Sequence, residues 1–375
     1  MATVNVRTAI KRSVESASNG EQTVIFTAKG QPCVMNIIKK FDMSTVDASM
    51  SGTHPAFIVN GKELDRILIG TYEGRVLNGE LLSNAYVAPS SDTMLNLAAY
   101  ARANGKGFHL MSNAEWAMLQ MLAVKNGYSP LGNTSFGKSD NDAAADYNGA
   151  NVNGYPAGDS RAGTIFTGSG PIQYRLDGKF TGISDLVGNQ FEPVIGMRLA
   201  GNEIQVIPDN DVAQMDADWG ATSAAWRAID AVTGEYIKPT FTGSFANKDY
   251  VATTQKSVRM SYNSTEPYTI STGASGWGAY GPYSGMSNKG TTPVSIAAMN
   301  VLKKMGLFPM RDALPGNDGI QIGNAANPDL NGIERLMWRG GYFWDAPNQG
   351  LYSAHLVYQR AGINNASGRI AYYDA

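Results

Sequence analysis

The sequence predicts a mixed α+β fold with long inserted loops. Three observations carry that reading: short β-prone runs closed by turn residues, three helical segments with recognisable caps or stops, and two long stretches rich in Gly, Asn and Asp between them. With 375 residues and 43% hydrophobic content, the chain is long enough for one large domain or two ordinary ones.

Residues 1–50 hold two β-prone runs, 23–27 and 33–38, around a Lys29-Gly30-Gln31-Pro32 turn. They read as a small β-rich N-terminal module with little core of its own, one that pairs with another chain or packs on the main domain. Residues 41–55 are polar and small, as a linker would be, and the main domain is expected from Ala56. There, 57–63 reads as a strand and turn and 66–72 as a second strand. Residues 92–101 follow a Ser-Ser-Asp cap signal and read as a helix. Ser112 opens the next helix, and Glu115 three positions later completes a capping box. Residues 126–182 form one long excursion, of a length that is usually functional or mobile in a compact domain. Residues 203–207 read as a strand, 208–290 as a second irregular stretch with a Gly/Tyr-rich run at 276–283, and 294–305 as a helix stopped by Gly306 and Pro309.

Composition excludes several classes. The formal net charge is −2 and basic runs go no further than pairs such as Lys39-Lys40, so nucleic-acid binding is not expected. Only 17% of residues are charged, which suits a neutral, polar, loop-rich surface. Cys33 is the sole cysteine, so an internal disulfide and a multi-Cys zinc site are excluded. No stretch approaches the eighteen or so apolar residues of a membrane span, and the first twenty residues lack the apolar run of a signal peptide. Synthesis in a cytoplasm without membrane insertion is the expectation.

The last forty residues are the most distinctive. A Trp338-Arg339-Gly340-Gly341 turn precedes a dense mixture of Tyr342, Phe343, Trp344, Tyr352, His355 and Tyr358 with Asp345, Asn348, Gln349, Asn364 and Asn365. Tyr and Trp supply contact area at low rotamer cost while Gly, Ser and Asn adapt their hydrogen bonding, which is the chemistry of a recognition surface rather than of catalysis. Tyr342, Trp344 and Asp345 lie in a stretch bounded by Gly and Pro and are expected to be exposed. Along 352–358, Tyr352, Ala354, Leu356 and Tyr358 share one strand face, expected to be inward, with Ser353, His355, Val357 and Gln359 on the other.

Other polar residues have plainer readings. Asp209, Asp211, Asp216 and Asp218 form an oxygen-rich loop without the Gly and final Glu of a calcium loop, and read as solvated. His54, His109 and His355 are far apart and lack paired spacing such as HxxxH, so neither a metal nor another cofactor is expected. His109 reads as packed or capping, Glu115 as a cap, and Glu192 has no separate role.

Five segments in order resemble one family: 57–61 (FIVNG), 109–116 (HLMSNAEW), 182–192 (GISDLVGNQFE), 196–199 with 203–208 (GMRL and EIQVIP), and 338–341 (WRGG). Together, over residues 56–375, they resemble the C-type-lectin-like fold shared by formylglycine-generating enzymes and the variable proteins of diversity-generating retroelements, and most of all the phage-tail receptor-binding proteins of the second group. The family usually has Trp where Phe191 and Pro193 stand. The resemblance implies a non-enzymatic adhesin on a virion tail that recognises a host-cell surface receptor, protein or glycan. It implies contact with other tail proteins through residues 1–50, and a homo-oligomer, a trimer. The diversified positions would be Tyr342, Trp344, Asp345, Asn348, His355, Val357, Tyr358, Gly362, Asn364 and Asn365. Two other readings stay open: an oxidase of the formylglycine-generating type, whose family binds copper through a cysteine pair that Cys33 alone does not provide, and a structural virion protein without receptor binding.

Overall fold

The computed structural model describes residues 5–140, 147–261, 268–273, 278–288, 292–310, 318–322, 333–344, 349–360, 362 and 366–375. It is mixed α+β, mostly sheet, with four α-helices among the described residues. In chain order these elements are α1 (Val6–Ala17), β1 (Gln22–Phe26), β2 (Pro32–Lys39), β3 (Ile58–Val59), β4 (Lys62–Glu63), β5 (Arg66–Gly70), β6 (Gly74–Leu77), β7 (Glu80–Ser83), α2 (Met94–Ala103), β8 (Phe108–Leu110), α3 (Asn113–Asn126), β9 (Glu192–Ala200) and β10 (Glu203–Val206). Then come β11 (Arg227–Ile229), β12 (Tyr236–Ile237), β13 (Phe241–Thr242), β14 (Val251–Ala252), β15 (Arg259–Ser261), β16 (Thr269–Ser271), β17 (Gly278–Pro282), α4 (Ile296–Lys304), β18 (Gly319–Ile322), β19 (Glu334–Arg339), β20 (Ala354–Leu356) and β21 (Ile370–Tyr372).

Two sheets organise the chain. The first is antiparallel throughout, in the order β1-β2-β5-β21-β8, so the last strand lies between strands from the first third of the sequence. Alternation along β5 sends Ile67 and Ile69 to one face and Leu68 to the other. Ile67 and Ile69 join the core that holds α3, and Leu68 joins Leu97, Ala98 and Ala101 of α2, so the sheet has a helix on each side. The second sheet runs β12-β11-β10-β9-β19-β20-β18-β17, with β15 and β16 branching from β10, and only its β18–β20 pair is parallel among those formed. Every residue of β9 is buried, as a strand covered on both faces requires.

Local chemistry explains the helices. Ser112 Oγ accepts from Glu115 N at 3.1 Å while Glu115 Oε2 accepts from Ser112 N at 2.8 Å, which is the expected capping box. Nine of the fourteen side chains of α3 are apolar and eleven of the fourteen residues are buried, so the helix is covered nearly all round. At α2 the N-cap is Thr93, one residue beyond the Ser-Ser-Asp signal, and α4 begins at the Ser295 cap and stops at Gly306.

The first fifty residues pack on the main domain, one of the two arrangements expected of them: β2 pairs with β5 from Met35↔Gly70 to Lys39↔Arg66, because an apolar strand of eight residues fills a ladder on each side. Residues 6–17, unassigned from sequence, form α1 through the Asn5 cap and the four-residue spacing of Val6, Ile10 and Val14. The stretch 208–290 contains β11 to β17, strands too short to register as periodic patterns, and five of them join the second sheet. By contrast, the described residues of 127–182 hold no strand of either sheet, as the long-excursion reading expected; of the Gly/Tyr run, Gly276 and Trp277 lie outside the described residues.

Candidate functional site

The C-terminal segment is fixed to α3 before it reaches the surface. Arg339 ends β19 fully buried and donates to Asn113 Oδ1 at 2.8 Å and Gly306 O at 3.0 Å, joining the start of α3 to the end of α4. Gly341 follows with a φ of 99°, and a Cβ there would lie 1.9 Å from Gln349 Oε1, so only glycine fits the turn. Trp116 Nε1 and Gln120 Nε2 both donate to Leu351 O at 2.9 Å. Tyr352 Oη donates back to Gln120 O at 3.2 Å.

Above this anchor the rings form a ladder. Phe191 stacks on Tyr342 (5.5 Å, 16°) and meets Trp338 and His355 edge-on at 6.2 and 4.6 Å. Tyr342 in turn contacts Phe343 at 4.4 Å and Trp344 at 4.8 Å, while Trp338 reaches Tyr358 at 5.0 Å. The long excursion supports the outer end: Phe136 N donates to Phe343 O at 2.7 Å and the two rings sit 6.0 Å apart. Gly188 and Asn189 make the positive-φ turn expected of them (68° and 62°), and Asn189 Oδ1 accepts from Ile165 N at 2.8 Å, tying that turn to the same excursion.

The ten candidate contact residues divide. Trp344 is 54% exposed, and Tyr358 and Gly362 are half-buried. Tyr342, expected outside, is 8% exposed because it is a rung of the ladder. His355 and Val357, at 1% and 5%, are also inside: the His355 ring packs on Phe191 at 4.6 Å and buried Arg335 donates to Val357 O, so the alternation carries no outward side. Asp345, Asn348, Asn364 and Asn365 lie outside the described residues.

Buried charge surrounds the anchor. His355 shares a 3.2 Å contact with Gln349 Oε1, and burial, then the Arg339 charge, brings its pKa down to about 3. Burial lowers Arg339 to about 10, against the opposing effect of Tyr283. Asp318, packed against Gly350, is pushed by burial up to about 7, opposed by a hydrogen bond from the Tyr352 backbone. A carboxyl raised in the folded state favours folding while it is protonated; that stability is complete below its ordinary value of 3.8 and lost as pH rises through about 7. Asp318→Asn, which keeps the group neutral, should therefore gain on the wild type as pH rises from about 4 to about 8 in urea unfolding. A gap that stays constant over that range would remove the buried proton.

Elsewhere, His109 Nε2 lies 2.9 Å from Glu115 Oε1, and Asn210 Nδ2 donates to the same oxygen at 2.9 Å. Burial pushes Glu115 up, but His109 with the hydrogen bonds from His109, Ser112 and Asn210 outweighs it and holds the carboxyl below its usual range. His54 accepts from Ala56 N through Nδ1. Each of these groups is accounted for by structure.

Sequence reasoning missed the neighbours of the C-terminal segment. Arg360 pairs with Glu334 and lies 4.9 Å over the Trp219 ring, bringing the loop at 219–226 beside the C-terminal segment at Arg360. The available signal was Trp219 and Trp226, two large rings in a stretch of Gly, Ala, Ser and Thr. Compared with known proteins, the chain matches no family model and no curated protein.

Proposed function

We propose that this chain is a non-enzymatic receptor-binding protein of a phage tail, with a C-type-lectin-like fold, which grips a host-cell surface molecule through the outer end of its C-terminal ladder. The carrying observation is Trp344: a half-exposed indole resting on buried Tyr342 and on Phe343, just after the Arg-Gly-Gly turn. A large ring held rigid at a surface gives up little entropy on binding and has the character of an interface hot spot. The fold reading is supported by the order of the five segments and by the return of β21 to the sheet of β1, β2 and β5.

Residues 1–50 attach the chain to other tail proteins or to sister copies, in a trimer. In support, none of the residues of α1 is buried, and a helix of 12 residues is marginal without a partner surface. Three copies would multiply a weak contact into avidity. The oxidase alternative lacks its chemistry: Cys33 has no second cysteine, and burial pushes its thiol up to about 12.

Purified chain should compete with the parent particle for adsorption to host cells. Trp344→Ala should weaken that competition by about tenfold or more while leaving the melting curve in place. Competition undiminished in the variant would sink this site, and no competition by the wild type would sink the role.

A further inference from the structure

A second ligand site lies beside the C-terminal segment, between the loop at 219–226 and the ribbon formed by β13 and β14. A cavity of about 280 Å³ opens there, lined by Arg198, Trp226, Lys238, Phe241, Phe245 and Tyr250 among others. One wall is a continuous column. The Arg198 guanidinium lies 4.2 Å from the Trp226 ring centre and 5.1 Å from that of Phe245. Phe245 stacks on Tyr250 (4.5 Å, 10°), and Tyr250 on Phe241 (4.5 Å, 20°). The inner end is locked: Arg198 Nε donates to Gln205 Oε1 at 2.9 Å, and Gln205 Nε2 to Tyr250 Oη at 2.7 Å. The outer end is not, since Phe241 is 51% exposed.

The lining selects the ligand. No carboxylate is among the lining residues, while Arg198 and Lys238 both are. Arg198 is held by Glu334, which also pairs with Arg360, at 2.7 and 2.6 Å, and it faces buried Glu203 as well, so the free charge of the pocket is exposed Lys238, which makes no ion pair among the described residues. A cation is therefore disfavoured and an anion drawn in. Thr222, Ser223 and Ser244 add hydroxyls to the lining. A ligand that matches has one apolar face for the ring column, hydroxyls around its edge and a negative charge. The volume is at the lower end for ligand pockets, which run from roughly 300 Å³ upward, so it admits one ring rather than several.

We infer that this pocket binds a single acidic pyranose, a sugar ring carrying a carboxylate, stacked on the free face of Phe241 with its charge toward Lys238. The site stands apart from the Trp344 surface and does not require the receptor role. The test is titration of the purified full chain with methyl glucuronide, methyl glucoside and benzoate, followed by calorimetry and by saturation transfer. The glucuronide should saturate, with the glucoside at least about fivefold weaker, the worth of one exposed ion pair. Lys238→Met should lower glucuronide affinity about fivefold and leave the glucoside unchanged. Phe241→Ala, at a half-exposed position that leaves folding intact by its melting curve, should weaken both sugars about tenfold. Absence of saturable glucuronide binding up to about 10 mM overturns the site. Glucoside binding as tightly as glucuronide overturns the charge assignment, and benzoate binding more tightly than glucuronide overturns the sugar.

Discussion

Arg369→Met is expected to cost about 3–5 kcal/mol of folding stability, more than any surface substitution, because it strands buried carboxylates. Arg369 is fully buried and donates through Nε to Glu192 Oε2 at 2.8 Å, and to Gly70 O and Ser184 O at 3.0 Å each. It thus joins β5, β9 and the turn before β9 to the segment entering β21. Glu73 and Asp185, both buried, face the same charge. Burial first, then Glu192 and Asp185, raise Glu73 well above the carboxylate range, while Arg369 opposes. Glu192 is likewise raised by burial against the pull of Arg369. The cluster therefore prefers to hold a proton when folded, and its stabilising protonation is lost as pH rises through the raised values. Removing the guanidinium raises those carboxyls further, so the penalty of Arg369→Met should be larger at about pH 8 than at about pH 5. Urea unfolding at the two pH values measures this. Equal losses at both would mean that Arg369 acts through its backbone contacts alone.

The importance of Arg369 was not legible in the sequence, where it stands in a short stretch of Gly, Ile and Ala near the end. What was legible was local. The Ser112–Glu115 box, the Gly188-Asn189 turn and the Gly340-Gly341 turn each depend on neighbours within a few residues, and the fold contains all of them. The α+β class came from the same short-range signals. What escaped was set by partners far along the chain. Pairing of β2 with β5 absorbed the supposed separate module, and strands of two or three residues such as β11 and β12 exist only because β10 presents a ladder to β11, and β11 to β12. The same reason turned His355 and Val357 inward: a strand exposes one face only if nothing covers it, and sequence alternation cannot say what does. Of the C-terminal segment, the Arg-Gly-Gly turn and the exposure of Trp344 were readable, whereas the pocket of Arg198, Trp226 and Phe241 draws on three separated stretches.

Tyr342→Ala is expected to cost about 3 kcal/mol or more, which separates it from Trp344→Ala although the two rings touch. Tyr342 stacks on Phe191, which packs against Trp338, so truncation opens a cavity in a core that also contains Leu336 and Ile370. Trp344 contributes little to that core and more than half of it faces water, so its removal should change stability by no more than about 0.5 kcal/mol. Binding, in contrast, should fall in both variants, directly for Trp344 and for Tyr342 because Trp344 loses the rung beneath it. Tyr342→Phe distinguishes support from contact: it keeps the ring, so it should lose less stability than Tyr342→Ala and keep binding. Wild-type stability in Tyr342→Ala would show that the ladder is not a structural unit. Lost binding at full stability in Tyr342→Phe would make the Tyr342 hydroxyl a contact group rather than part of the support.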